Sequence, residues 1–185
     1  MKLEKLEIPD VKLITPRRFT DSRGWFSETF NNKALQEAGI DLEFVQDNHS
    51  YSAQAGTVRG LHYQSPPHAQ VKLVRAIKGS VLDIVVDARI GSPSEGQWVS
   101  AELSAQNGAQ LLVPAGFLHG FITLEPDTEI VYKVTDYYSG SCDGAVLWND
   151  SDLGLDWGSL AGDAILSEKD EAAPRWVEFQ SPFLY

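Results

Sequence analysis

After residue 43 the chain consists largely of short segments in which apolar and polar residues alternate. Alternation with a period of two is the pattern of a β-strand that buries one face. It predicts strands at residues 44–48, 58–63, 71–77, 81–88, 97–104, 110–113, 120–124 and 130–136. The fourth segment is the clearest, since Leu82, Ile84 and Val86 share one face and the residues between them share the other.

Turn-forming residues separate the predicted strands, for example at residues 78–79, 91–93, 106–108 and 125–127. One short helix is predicted at residues 32–38, ended by Gly39. Closely spaced strands with almost no helix between them favour an antiparallel sandwich or barrel, so the predicted fold class is all-β. The Gly- and Asp-rich end of the chain is predicted to lie on this barrel as an arm. No linker or repeat is visible, so residues 1–185 are expected to form one domain.

The composition adds that the chain is acidic and able to bury a core. It is 43% hydrophobic and has a formal net charge of −11, which argues against nucleic-acid and anionic-membrane partners because both attract cationic surfaces. The single cysteine, Cys142, excludes an intrachain disulfide and a multi-cysteine metal site. No apolar run approaches the ~18 residues of a membrane helix. The N-terminal residues lack the apolar core of a signal peptide, so a cytoplasmic location is expected.

The charge is distributed unevenly along the chain. Residues 17–78 carry eight Lys or Arg and six Asp or Glu, whereas residues 79–185 carry four and seventeen. The cations of the first part, among them Arg23, Arg59 and Lys72, are therefore candidates for holding an anionic ligand. The alternative is that the imbalance reflects only chance and an acidic tail.

Two of the four histidines, His62 and His119, are candidates for a site on the strands. In segment 59–64, alternation puts Arg59 on the face opposite His62, whose same-face neighbour Gly60 leaves room for a ligand. The turn at residues 114–116 brings His119 to the start of a later strand. Either histidine can instead be a hydrogen-bonded residue of the core, and the strand pattern does not decide between these roles.

The segment before His119 resembles a motif of the cupin superfamily, whose members are small jelly-roll β-barrels. The pattern is Gly108, five residues, Pro114, one residue, Gly116, two residues and His119. In metal-binding cupins this histidine is a ligand. The resemblance implies a cupin-type jelly-roll barrel with short N-terminal and C-terminal arms.

The first cupin motif fits less well. Laid from Gly60 to Gly79, it has Pro66 and His68 at its two histidine positions and Lys72 at its glutamate position. Proline has no ligand atom and an ammonium group repels a cation, so no metal is expected and a metal-dependent oxygenase is disfavoured. A cation at Lys72 suits instead a negative charge that develops on a bound substrate.

Longer segments resemble the dTDP-4-dehydrorhamnose 3,5-epimerase family, from about residue 9 to residue 174. They are residues 44–50, 58–64, 70–75, 114–121, 132–133, 137–138, 147–150 and 166–170. The family inverts carbons 3 and 5 of a dTDP-linked 4-keto-6-deoxyglucose in dTDP-L-rhamnose biosynthesis. Both carbons flank the ketone, so the reaction needs a base, a stabiliser of the enolate oxygen and a proton donor on the opposite face. The chemistry of this reaction demands no redox cofactor and no metal.

By position, the resemblance implies four catalytic residues. His62 matches the base and Asp170 the carboxylate that orients it, while Lys72 matches the residue facing the ketone oxygen and Tyr132 the proton donor. The implied substrate contacts are Arg23, Glu28, Gln46, Asp47, Asn48, Arg59, His119, Asp143 and Lys169. Asp143 is the shorter acid at a position where the family commonly has Glu.

The resemblance also implies a homodimer with shared active sites, because the family's N-terminal segment, including residues 23–30, crosses to a partner subunit. Trp25 or Phe26 of this segment would stack on the thymine. The expected small-molecule partner is a dTDP-linked 4-keto-6-deoxyhexose.

Two other functions stay open on the sequence alone. A relative that inverts only carbon 3 or only carbon 5 of a nucleotide deoxysugar can keep His62, Lys72 and Tyr132. A non-catalytic cupin that binds a sugar nucleotide would instead hold the pair of His62 and Asp170, or Tyr132, out of reach of the pocket.

Overall fold

The computed structural model describes residues 1–185 and contains thirteen strands and two short α-helices. The strands are β1 (Lys2–Lys5), β2 (Lys12–Thr15), β3 (Arg18–Asp21), β4 (Gly24–Ser27), β5 (Gln46–Ser52), β6 (Val58–Gln64), β7 (Lys72–Lys78), β8 (Ser80–Asp87), β9 (Trp98–Ser104), β10 (Gln110–Val113), β11 (Phe117–Thr123), β12 (Thr128–Val134) and β13 (Asp143–Ala145). The helices are α1 (Asn32–Glu37) and α2 (Glu168–Glu171), and 3₁₀ turns occupy Ser159–Asp163 and Trp176–Glu178. None of the helices has the length and apolarity that crossing a bilayer requires.

Eleven of the strands form two antiparallel sheets. The first sheet has the order β1-β2-β10-β7-β12-β5 and the second has the order β13-β6-β11-β8-β9, while β3 and β4 form a separate hairpin. The consecutive strands β10, β11 and β12 alternate between the two sheets, which is how a jelly roll is connected. The predicted all-β, cupin-like jelly-roll fold is confirmed.

Apolar side chains fill the space between the sheets. This core contains 14 buried residues, among them Val74 and Ile130 of the first sheet and Val85 and Phe121 of the second. Twelve further buried residues form a second core on the outer face of the second sheet, where Trp157 and other residues of the C-terminal segment cover it. The C-terminal segment therefore lies on the barrel as predicted.

Strand β8 is buried on both faces, whereas an alternating pattern indicates burial of one face only. Val81 and Val85 face the interior of the barrel, whereas Ile84 and Val86 pack under the C-terminal segment. Asp83 shares the interior face and is completely buried. A buried carboxylate is costly unless it is paired, so its partner is of interest for the site.

The sequence pattern missed the strands before residue 30 and β13, and it misplaced the bounds of β5, β11 and β12 by two or more residues. β1 to β4 have four residues each, too few for a periodic pattern to stand out. β5 continues to Ser52, although its sequence is polar. A polar sequence suits an edge strand, and β5 pairs only with β12. β11 begins at Phe117, so His119 lies within the strand. The predicted helix is confirmed as α1, which Asn31 caps by accepting a hydrogen bond from the backbone N–H of Ala34 at 3.1 Å.

Candidate active site

A cavity of about 450 Å³ opens between the two sheets. It is called the interior cavity here. Seven of the thirteen predicted site residues line it: His62, Asp170, Lys72, Tyr132, Arg59, His119 and Lys169. The first sheet supplies one wall of the cavity and the second sheet supplies the other, so polar groups from distant parts of the chain meet across it.

Arg59 and His62 line the same cavity, so the prediction that they lie on opposite faces of their strand is wrong. The register between β6 and β11 shifts here, with His62 opposite His119 but Arg59 opposite Phe121. Three steps along β6 thus correspond to two along β11, which is a β-bulge with one extra residue. The extra residue reverses the alternation, and Arg59 consequently joins His62.

Glycine permits the bulge at Gly60. Its φ is +140°, and a Cβ there would lie 2.5 Å from the Cα of Gly120 on β11. A side chain would therefore collide with the backbone of the neighbouring strand and strain its own backbone. The bulge depends on this close approach of two glycines.

His62 and Asp170 form a hydrogen-bonded pair on the wall formed by β6. The imidazole Nε2 lies 2.5 Å from Asp170 Oδ1, and Asp170 is only 3% exposed. Burial raises the pKa of Asp170, but hydrogen bonds from His62 and Ser167 outweigh this and leave the pKa below its usual value. An ionised carboxylate orients the ring and stabilises its protonated form, so the pair can accept a proton from a carbon acid.

Lys72 and Tyr132 extend from the opposite wall. They lie on the neighbouring strands β7 and β12, where Tyr132 pairs with Val74 and Lys72 with Val134. Burial lowers the pKa of Lys72 to about 8, although the charge of Asp83 partly offsets this effect. Burial also raises the pKa of Tyr132, so its hydroxyl keeps its proton near neutral pH. The wall thus offers a cation and a proton donor to whatever occupies the cavity.

His119 is held by a residue that the sequence reasoning did not select. Its Nε2 lies 3.0 Å from both carboxylate oxygens of Asp83, which is completely buried on β8. The signal in the sequence was a charged residue in the middle of a mostly apolar strand, with apolar residues on both sides of it. A second histidine–aspartate pair therefore lies beside the first, on the same sheet.

Arg59 is fixed by groups of the edge strand β5. Its Nε donates to Ser52 Oγ at 3.3 Å, and its Nη2 donates to the backbone carbonyl of Tyr51 at 3.0 Å. No carboxylate pairs with it, so its charge is available to a ligand. A planar guanidinium in a fixed position suits the oxygens of a phosphate group.

Three further predicted contacts, Gln46, Asn48 and Asp143, do not line the interior cavity. Hydrogen bonds through Tyr138 link them to Lys169, which does line it, and they are called the rim residues here. Gln46 donates to Asn48 Oδ1 at 2.8 Å, and its own Oε1 accepts from the backbone N–H of Tyr138. Asp143 accepts from Lys169 Nζ at 2.5 Å and from the hydroxyl of Tyr138 at 3.4 Å. The loop that carries Tyr138 thereby connects the rim residues.

His68 and Lys72, which stand at ligand positions of the first cupin motif, have different places in the structure. His68 pairs with Asp136 at 3.1 Å and does not line the interior cavity, whereas Lys72 does. No group of three or more His, Cys, Asp or Glu side chains is arranged to hold a metal ion.

The family model of dTDP-4-dehydrorhamnose 3,5-epimerase matches residues 5–178. The chain belongs to this family. It is therefore an enzyme, an epimerase of dTDP-rhamnose biosynthesis, and the resemblance read from the sequence is confirmed.

Relatives of known name agree with this assignment. A dTDP-4-dehydrorhamnose 3,5-epimerase of Sinorhizobium fredii strain NGR234 is 52% identical over 185 residues, which cover 100% of this chain and 94% of the relative. The crystal structure of the 3,5-epimerase RmlC from Legionella pneumophila, in complex with dTDP-4-keto-L-rhamnose, has a TM-score of 0.93. It is 40% identical and covers 100% of this chain and 98% of its own.

A relative with a narrower activity also shares the fold. ChmJ, a 3'-monoepimerase from Streptomyces bikiniensis, has been solved in complex with dTDP-quinovose and has a TM-score of 0.86. It is 32% identical and covers 92% of this chain and 86% of its own. The shared fold alone therefore does not distinguish one inversion from two.

Three predicted substrate contacts lie away from the interior cavity in this epimerase chain. Glu28 and Asp47 line a second cavity of about 500 Å³ on the outer face of the first sheet, where Asp47 pairs with Lys133 at 2.9 Å. Arg23 lies on the exposed β3–β4 hairpin and pairs with Asp21 at 2.6 Å. These three residues do not join the other contacts within one chain. For Arg23 and Glu28, the expectation that residues 23–30 cross to a partner subunit stays a prediction. Asn48, which follows Asp47 on β5, borders the second cavity as well.

Proposed function

We propose that the enzyme inverts, in the interior cavity, both carbons next to the 4-ketone of a dTDP-linked 4-keto-6-deoxyglucose. One wall of the cavity supplies the base, and the other supplies the proton donor and the cation. The observation that carries this proposal is the placement of a histidine–carboxylate pair on one wall and a tyrosine hydroxyl with an ammonium group on the other. A proton removed from one face of a carbon must be replaced on the other face if the carbon is to be inverted. Opposed walls supply that arrangement.

His62 is the base in this proposal. It takes the proton from carbon 3 or carbon 5, and Asp170 stabilises the imidazolium that forms. The electron pair of the broken C–H bond moves to the ketone oxygen, where the charge of Lys72 opposes the negative charge of the enolate. Tyr132 then donates its proton to the opposite face of the carbon, and solvent restores both groups before the next inversion.

Binding of the nucleotide part is assigned to the rim residues and to Arg59. The diphosphate would accept hydrogen bonds from the Arg59 guanidinium, which has no carboxylate partner within the chain. Gln46 and Asn48 supply amide groups that suit the base and the sugar of the nucleoside. The Legionella relative holds dTDP-4-keto-L-rhamnose, which supports a dTDP-linked ligand for this chain.

A homodimer with shared sites completes the proposal. Arg23 and Glu28 lie outside the interior cavity of their own chain, while Trp25 and Phe26 beside them are 58% and 69% exposed. Exposed aromatic residues next to an arginine are typical of a surface that binds a partner. In the dimer this hairpin would reach the partner's cavity, where Arg23 binds the diphosphate and one aromatic ring stacks on the thymine.

The second candidate is inversion of carbon 3 alone, which the similarity to ChmJ favours. A coupled assay separates the two. The chain is supplied with dTDP-4-keto-6-deoxyglucose, reduced nicotinamide cofactor and a reductase that accepts only the doubly inverted ketosugar. We expect cofactor oxidation that depends on the chain and falls roughly 10²–10⁴-fold in a His62→Ala variant. Absence of oxidation, with a reductase that is active on authentic doubly inverted ketosugar, would contradict the proposal.

A further inference from the structure

Ser167 binds the carboxylate of Asp170 from the side opposite His62. The two oxygens of this carboxylate have different partners, since Oδ1 is paired with the imidazole at 2.5 Å and Oδ2 accepts a hydrogen bond from Ser167 Oγ at 3.0 Å. The carboxylate is thus held at both oxygens, which fixes its rotation as well as its position. A carboxylate held by one oxygen can still turn about its last bond.

The local fold explains how Ser167 comes to do this. It is the N-cap of α2, with extended backbone angles, and its Oγ accepts the backbone N–H of Asp170 at 3.2 Å. An N-cap serine ordinarily serves only the backbone of its helix. Here the hydroxyl also has a hydrogen to donate, and the third residue of the helix is Asp170 itself. The cap and the side-chain contact therefore join the same two residues.

The backbone before Ser167 is anchored to the strand that carries His62. Ile165 donates its N–H to the carbonyl of Gly56 at 2.9 Å, and its carbonyl accepts from the N–H of Val58 at 2.9 Å. Val58 begins β6, so the hydroxyl donor and the imidazole are fixed relative to each other by the same sheet. The pair is consequently supported from both sides by one rigid element.

We propose that Ser167 is a positioning residue of the epimerase, which orients Asp170 and through it the imidazole of His62. The inference rests on the proposed function, because it assumes that His62 acts as the base. Asp170 is 3% exposed, so removing the hydroxyl would leave a buried carboxylate oxygen without its donor. The carboxylate would then rotate or protonate, and the imidazole would lose its orientation.

The charge state of the pair depends on the same contact. The hydrogen bond from Ser167 is one of the causes that keep the pKa of Asp170 below its usual value despite burial. Without that bond the pKa of this carboxyl rises. Protonation of the carboxyl then occurs at a higher pH, and the base loses its ionised partner there.

The test compares Ser167→Gly with Ser167→Thr in the full-length enzyme. Glycine is a tolerable N-cap that costs only a few tenths of a kcal/mol, so α2 should persist without the hydroxyl. We expect kcat to fall roughly 10–100-fold, as when a hydrogen-bonding partner that orients a metal-bound histidine is removed. KM should stay within a factor of two, and the acid limb of the kcat–pH profile should move to higher pH. Ser167→Thr, which keeps the hydroxyl, should restore kcat and the limb.

Two results would overturn the inference. One is a Ser167→Gly variant with normal kcat, whether or not its KM is raised. The other is a lowered kcat with an unmoved acid limb that Ser167→Thr does not restore. Thermal unfolding of each variant, with Ser167→Ala as a second variant lacking the hydroxyl, identifies any loss that reflects misfolding. His62→Ala is measured in parallel. If it retains full turnover, the proposed function fails; if it is inactive while Ser167→Gly is normal, only this inference fails.

Discussion

Lys72 illustrates how a single residue can acquire a property that its type does not usually have. Burial within the barrel lowers its pKa to about 8, while the nearby charge of Asp83 acts in the opposite direction. An ammonium group is poorly tolerated where little water can reach it. The same lack of water strengthens the attraction between the ammonium group and an enolate. The burial that disfavours the charged form of Lys72 therefore also makes this form more effective in stabilising the enolate.

This gives a prediction for the pH dependence of catalysis. The protonated form of Lys72 is the one that stabilises the enolate, so kcat should fall as pH rises through about 8. A Lys72→Arg variant keeps its charge at alkaline pH. We expect it to be slower at pH 7 because its charge is placed differently, but to lose the limb near pH 8. An unchanged alkaline limb in Lys72→Arg, measured by initial rates from pH 6 to 10, would assign that limb to another group.

Some residues of the site could be predicted and others could not. His62 and Lys72 could be selected from the sequence. His62 shares its predicted strand face with Gly60, and Lys72 stands at the glutamate position of the first cupin motif. Asp170 is 108 positions from His62, and only the resemblance to a family selected it from the many acids of the C-terminal part. Asp83 was overlooked because strand periodicity describes which face a residue occupies and does not describe what it meets there.

At the scale of the element, the bulge in β6 decides which side chains enter the cavity. A period of two assumes that no residue is inserted, and the extra residue between Arg59 and His62 breaks that assumption. The face of each residue could therefore be predicted in β8, which is regular, but not in β6. The cause is the close contact between Gly60 and the backbone of β11, which single-strand patterns do not contain.

Substituting Gly60 tests the role of the bulge. Gly60→Ala would place a Cβ 2.5 Å from the Cα of Gly120 at a φ of +140°. The backbone strain alone costs roughly 1–3 kcal/mol, or about 2–12 °C in Tm for a chain of this size. We also expect a raised KM, since Arg59 would move relative to His62. Differential scanning calorimetry and initial rates measure both effects.

Gly162→Ala is the matched control for this substitution. It lies in the 3₁₀ turn Ser159–Asp163, and a Cβ there would meet no atom within 4 Å. Its Tm and KM should stay close to those of the unaltered chain. If Gly60→Ala were equally harmless, the bulge would not depend on the contact between glycines.

At the scale of the whole molecule, the site residues predicted from the family divide into two groups. One group consists of the residues that line the interior cavity and the rim residues, whereas Arg23, Glu28 and Asp47 lie elsewhere. The uneven charge has a corresponding explanation, since Arg59 and Lys72 surround the cavity of an otherwise acidic molecule. The residue pattern alone did not indicate where Arg23 acts. Only the resemblance to the family placed it in a segment that crosses to a second copy, and this placement stays a prediction.

Mixed dimers test this sharing of sites. Arg23→Ala should bind substrate weakly and His62→Ala should be inactive. Co-expression of the two variants with different tags yields heterodimers in which one site combines an intact His62 with an intact Arg23 from the other chain. We expect these heterodimers to recover, at low substrate concentration, up to about half of the activity of the unaltered dimer.

The result would differ if each site used its own Arg23. Both sites of the heterodimer would then carry one defect, and its activity would not exceed that of an equal mixture of the two parent variants. Sedimentation of the unaltered chain provides the accompanying check, since a monomer at assay concentration would exclude shared sites.

The most direct test of the account follows hydrogen exchange from heavy water during turnover. The unaltered chain should introduce deuterium with inversion at both carbon 3 and carbon 5 of dTDP-4-keto-6-deoxyglucose, as read by NMR. In Tyr132→Phe the proton donor is missing from one wall, but the pair of His62 and Asp170 remains. Deuterium should then enter with retained configuration, since the base returns a solvent deuteron to the face from which it took the proton. Inversion at both carbons at the normal rate in Tyr132→Phe, or exchange at only one carbon in the unaltered chain, would contradict the account.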